Sequence, residues 1–87
     1  MTRYQIEYTP KAIKQLRDIR DARLSAPIRR AIENLSANPR PPGRVKLVGE
    51  ADQWRVRVGD WRIVYRIEDG RLVVVVVRVA PRSRVYG

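Results

Sequence analysis

The chain opens on alternation. Over Thr2–Tyr8 the apolar Tyr4, Ile6 and Tyr8 interleave with Arg3, Gln5 and Glu7, the two-residue period of a half-buried strand. At Thr9-Pro10 the period lengthens to that of a helix. Thr9 offers an N-cap oxygen, and Pro10 fits the first helical position, where its missing N–H is no loss. Ala12, Ile13, Leu16 and Ile19 then share one stripe, with Lys14–Asp18 and Arg17–Asp21 spaced for i,i+4 pairing on the wet side. A second helix is predicted from Ser25 as N-cap, with Pro27 in its first turn and Ile28, Ala31, Ile32 and Leu35 as its buried stripe. Asn38-Pro39 stops it. The short connection around Asp21–Leu24 makes the two helices antiparallel neighbours.

Beyond the stiff connector Arg40-Pro41-Pro42-Gly43, alternation returns. Arg44–Val48 reads as a short strand and Gly49–Asp52 as a turn. Two alternating strands follow, joined by a two-residue Gly59-Asp60 loop. That loop sets Val58 opposite Trp61, Arg57 opposite Arg62, Val56 opposite Ile63 and Arg55 opposite Val64. Cross-strand partners and alternate residues share a face, so Arg55, Arg57, Arg62 and Arg66 project from one side. Trp54, Val56, Val58, Trp61, Ile63, Tyr65 and Ile67 project from the other. Glu68-Asp69-Gly70-Arg71 reads as a second tight turn, with Asp-Gly suited to a type I′ loop. Leu72–Val79, nearly all valine, is predicted as a central strand covered on both faces, and the pattern breaks at Pro81.

The order strand, two helices, antiparallel strands argues for an α+β fold. An N-terminal strand and an antiparallel helical hairpin precede a mostly antiparallel twisted sheet with both helices on one face. The Trp54, Ile63 and Tyr65 side is expected against the helices, and the arginine side toward solvent or a partner. At 87 residues, one domain spanning 1–87 is expected.

Charge sharpens this picture. Nineteen basic residues against nine acidic ones give a formal +10, and 16 of the 19 are arginine. Guanidinium forks match phosphate oxygens, which suits a nucleic-acid partner. Absence of cysteine and histidine excludes disulfides, thiol catalysis and the usual zinc ligands, so no metal or cofactor is expected. No apolar run approaches the ~20 residues of a membrane span, so no membrane partner and a cytoplasmic location are expected.

Arg57 facing Arg62 weakens a sheet unless an anion lies between them. Guanidinium groups beside a phenol can cleave RNA without metal or histidine. A base removes the ribose 2′-hydroxyl proton, and cations stabilise the charge that develops at phosphorus. Tyr86 is the candidate base, Arg55, Arg57 and Arg62 the candidate phosphate holders, and Arg82 the group that would polarise the leaving oxygen. Arg44 and Lys46 would extend the phosphate track, with Arg66 and Arg84 as further RNA contacts. A blander reading stands beside each role: alternate charges are often only the wet face of a sheet, and a tyrosine placed like Tyr86 is more often a packing residue that covers its edge.

The segments Val45-Lys46-Leu47, Trp54 through Tyr65, and Arg82 with Val85-Tyr86 together resemble the RelE/ParE superfamily of bacterial toxins. The resemblance covers essentially the whole chain. It implies a small ribonuclease that enters the ribosomal A site and cuts mRNA there by metal-independent 2′-hydroxyl attack. Arg55 and Arg57 would then stand for the family's basic pair on the third strand, Arg62 for its phosphate-binding arginine, Arg82 for its late arginine and Tyr86 for its catalytic tyrosine. A RelB-like or other small antitoxin is the implied partner. The superfamily also holds ParE-like toxins that inhibit DNA gyrase by protein binding, which makes gyrase the alternative partner.

Overall fold

The computed structural model describes residues 3–47, 49 and 52–81. Its elements are β1 (Gln5–Tyr8), α1 (Pro10–Asp18), α2 (Ala22–Ala37), β2 (Val45–Lys46), β3 (Gln53–Val58), β4 (Trp61–Glu68), a 3₁₀ turn (Asp69–Arg71) and β5 (Val73–Pro81). The strands form one sheet in the order β1-β5-β4-β3-β2. β1 runs parallel to β5, and the other neighbours are antiparallel. This is the α+β arrangement expected.

Both helices lie on one face. Ala12 and Leu16 from α1 and Ile28, Ile32 and Leu35 from α2 pack against Val56, Ile63, Tyr65, Val74, Val76 and Val79. The polar tip of Tyr65 is satisfied within this core, its hydroxyl donating to the Pro39 carbonyl at 2.8 Å. Burial pushes the Tyr65 pKa up to about 12. Val73, Val74, Val75 and Val76 are all buried, so the valine strand is covered on both sides as its composition implied.

Several local expectations change. α2 begins at Ala22 with Asp21 as its cap, whose carboxylate accepts from Arg23 N at 2.9 Å, and not at Ser25. A charged acceptor immediately after α1 starts the helix earlier. Pro27 consequently lies inside it, beyond the first turn, where its missing N–H removes one helical bond. Lys14 and Asp18 pair at 3.0 Å, but α1 ends at Asp18, so Asp21 is no longer at helical spacing from Arg17 and pairs with Arg23. β2 is only two residues long.

The loop after β4 is a 3₁₀ turn with its positive φ (54°) at Leu72, where a type I′ loop would have placed positive φ at both Asp69 and Gly70. Contacts from distant chain segments fix where that loop tightens. Tyr4 Oη donates to Asp69 at 2.7 Å, and Arg40 grips the same carboxylate at 2.8 and 3.2 Å. The Leu72 carbonyl accepts from Gln5 N at 2.8 Å.

Candidate functional site

The β3–β4 register is the one the Gly59-Asp60 loop dictates: Arg57 faces Arg62, Arg55 faces Val64, Val56 faces Ile63 and Val58 faces Trp61. Gly59 takes φ 59°, a backbone conformation that suits glycine at a tight loop. Arg55, Arg57 and Arg62 therefore share the face opposite the helices. Arg66, two residues beyond Val64 on β4, joins them there.

That face is not simply open, which corrects the expectation. Val64 and Ala80 are buried on it and form a second, smaller apolar cluster with Leu47 and Val77. Arg62 is only 1% exposed, the one charged residue buried among the described residues. Its Nε and Nη1 are shielded from solvent and make no hydrogen bond among those residues. Its cross-strand neighbour Arg57 is exposed, so the facing pair divides between surface and interior. Depth relieves the side-chain repulsion that two guanidinium groups at one height would suffer. The remaining cost is the desolvation of Arg62.

Arg66 is drawn toward carboxylates: it donates to Glu68 at 3.1 Å, and Glu68 also takes Arg71 at 2.7 Å. Arg71 first and Arg66 second hold the Glu68 carboxyl below the ordinary carboxylate range.

Arg44 and Lys46 lie elsewhere. β2 pairs Val45 with Arg55 and Lys46 with Trp54, which puts the exposed Val45, and neither basic residue, on the arginine face. Lys46 Nζ and the Arg44 guanidinium sit 5.9 and 5.3 Å from the Trp54 ring centroid, in cation–π contact. Arg44 also donates to the carbonyls of Arg40 and Pro41. The two residues thus cover the Trp54 indole and do not continue a track from Arg55. Trp54 and Trp61 both pack on the helix-side core. Arg82, Arg84 and Tyr86 lie outside the described residues.

One residue that pattern reading passed over joins the arginine face. Arg78, hidden in the valine strand, is the register partner of Val64. Arg55, Val64 and Arg78 thus form one row across three strands, beside the row Arg57, Arg62, Ala80. Chemically, the face carries several guanidinium groups around one that is buried with donors unused among the described residues, an arrangement suited to holding a multivalent oxyanion.

Comparison with known proteins agrees with this architecture. Residues 6–86 match the family described as ParE toxin of type II toxin–antitoxin system, parDE. Toxin RelG of Mycobacterium tuberculosis is 30% identical over 83 residues, covering 95% of each chain. The RelBE2 toxin–antitoxin complex of the same organism contains a chain 31% identical, with TM-score 0.76 over 92% of this chain and 99% of that one. An archaeal RelE–RelB complex from Pyrococcus horikoshii gives 26% identity and TM-score 0.77 over 97% and 99%. The chain belongs to the ParE toxin family, and so to the RelE/ParE superfamily of type II toxin–antitoxin toxins.

Proposed function

We infer that the protein is a ribosome-dependent mRNA endoribonuclease, the toxin of a cytoplasmic pair held inactive by a cognate RelB-like antitoxin. The observation that carries this reading is the buried Arg62 guanidinium, whose Nε and Nη1 have no partner among the described residues, on one face with Arg55, Arg57 and Arg78. Desolvated guanidinium donors at the centre of a cationic face call for an oxyanion, and a phosphodiester supplies one.

In the proposed reaction the arginine cluster holds the scissile phosphate and stabilises the negative charge that builds on its oxygens. Tyr86, as phenolate, takes the proton of the 2′-hydroxyl. The 2′-oxygen attacks phosphorus, the bond to the 5′-oxygen breaks, and the leaving oxygen, its charge stabilised by Arg82, takes a proton from water. The products are a 2′,3′-cyclic phosphate and a 5′-hydroxyl. The ribosomal A site supplies the positioning that weak acid–base groups require. Primer extension on ribosome-bound mRNA should show sharp codon-level cuts with cyclic phosphate ends. Tyr86→Phe should abolish them while antitoxin binding persists; unchanged cutting removes Tyr86 from the mechanism.

The match to the ParE toxin family favours one second reading, inhibition of DNA gyrase by protein binding. Stabilised gyrase–DNA complexes with intact mRNA would select it.

A further inference from the structure

β5 carries an arginine that strict alternation would turn toward the helices. Val74 and Val76 belong to the helix-side core, so a regular strand would send residue 78 the same way. The partner of Val64 is Arg78 and that of Tyr65 is Val76, which leaves Val77 as the extra residue of a β-bulge. The bulge re-aims Arg78 to the face of Arg62, and Val79 returns to the helix-side core.

The backbone on either side of Arg78 is clamped by the start of the helical hairpin. Thr9 Oγ1 donates to the Val77 carbonyl at 2.6 Å, and Gln15 Oε1 accepts from Val79 N at 2.6 Å. The same Thr9 oxygen accepts from Ala12 N at 3.1 Å, so the cap of α1 and the support of the bulge are one device. Polar groups that a bulge leaves outside the ladder are thereby satisfied.

We propose that Arg78 is a further phosphate-binding residue, which with Arg62 forks a phosphodiester of an RNA strand laid on this face. Arg62 and Arg78 are diagonal neighbours across β4 and β5, roughly 7–8 Å apart at the backbone and within reach of long side chains. Arg78 Nε, like Arg62 Nε, is buried and has no hydrogen-bond partner among the described residues. Two desolvated N–H donors on one face of neighbouring strands suit a tetrahedral group that presents oxygens on several sides. A planar carboxylate engages a single fork. The inference rests on the reading of this face as an RNA-phosphate site, and it adds a residue to that site.

The test uses the full chain and an all-2′-deoxy oligonucleotide, which offers phosphates but no 2′-hydroxyl to attack. Arg78→Gln should weaken binding roughly tenfold and take about 0.7 from the slope of log affinity against log salt. Arg78→Lys should restore the slope but not the full affinity, because an ammonium supplies charge without the fork. Arg30→Gln, an equal charge change on the exposed face of α2, should leave both nearly unaltered. If Arg78→Gln behaves like Arg30→Gln, the proposal is overturned. Inorganic phosphate should also shift the Nε–H resonances of Arg62 and Arg78 together. Shifts produced at lower concentration by a polyglutamate peptide would make this a carboxylate site and likewise overturn it. Arg78-dependent oligonucleotide binding alongside uncut ribosomal mRNA would leave the phosphate contact standing and remove the nuclease reading.

Discussion

The two faces of this sheet are made from the same strands, yet they solve the problem of burial in opposite ways. On the helix side the buried core is apolar but for one phenol among the described residues, Tyr65, whose hydroxyl is bonded to Pro39. On the other side Val64 and Ala80 are equally buried, but a guanidinium lies beside them with two nitrogens unpartnered among the described residues. The helix side is arranged for stability. The arginine side sacrifices some of it, as sites that must bind charge commonly do.

Substitutions can test that contrast directly. The largest effect is expected on the helix side: Ile32→Ala, at a position 1% exposed, should cost about 2–5 kcal/mol in urea denaturation. The protein that remains folded should bind oligonucleotide normally. Arg62→Met should do the reverse. Filling the site with an apolar chain of similar length removes the unpartnered donors and should add about 1–3 kcal/mol of stability. Cutting of ribosome-bound mRNA should fall about 100-fold or more. Loss of both stability and activity would mean that Arg62 is a structural support and the contrast between the faces is mistaken.

Tyr65→Phe should cost about 1–2 kcal/mol, because the Pro39 carbonyl is left buried without its donor. It should also change the alkaline limb of stability. The Tyr65 phenol stays neutral in the fold up to about 12, against an ordinary value of 10.0. Its contribution is therefore intact below pH 10 and lost between 10 and 12, as the unfolded chain ionises first. The phenylalanine variant should lack that loss in a pH series of melting temperatures.

The smallest effect belongs to the exposed clasp at the sheet's end. The Arg40 guanidinium, and then the Tyr4 hydroxyl, hold the Asp69 carboxyl below its ordinary value of 3.8. The clasp's contribution is present above pH 3.8 and disappears as the pH falls through the depressed value. Asp69→Asn should lower the melting temperature slightly at neutral pH and flatten the acid limb. An unchanged acid limb would show that the pairing adds nothing measurable.

Much of this was readable along the chain because it depends on neighbours in sequence. Thr9-Pro10 started α1 as expected, and Gly59-Asp60 set the β3–β4 register pair by pair. A two-residue period leaves a hairpin no freedom once its loop is short and glycine has accepted the positive φ. Arg44 and Lys46 fall off the arginine face for a reason alternation does not carry: it orders residues within a strand, but only the pairing of β2 with β3 decides which set shares a face with Arg55.

Arg78 shows the boundary most plainly. Nothing in a run of valines marks Val77 as the residue to be left out of the ladder, and counting by twos sends Arg78 to the wrong side. The bulge depends on Thr9 and Gln15, more than sixty residues away, which hold the carbonyl of Val77 and the N–H of Val79. Arg62 is likewise buried beside Val64 and Ala80, against which Leu47 and Val77 pack from other parts of the chain. Sequence determined the main strands, the cap of α1 and the facing of Arg57 on Arg62, since those follow from backbone geometry over a few residues. Tertiary structure alone decided which arginine is buried and which is re-aimed, because desolvation and bulge placement depend on groups brought together from distant parts of the chain.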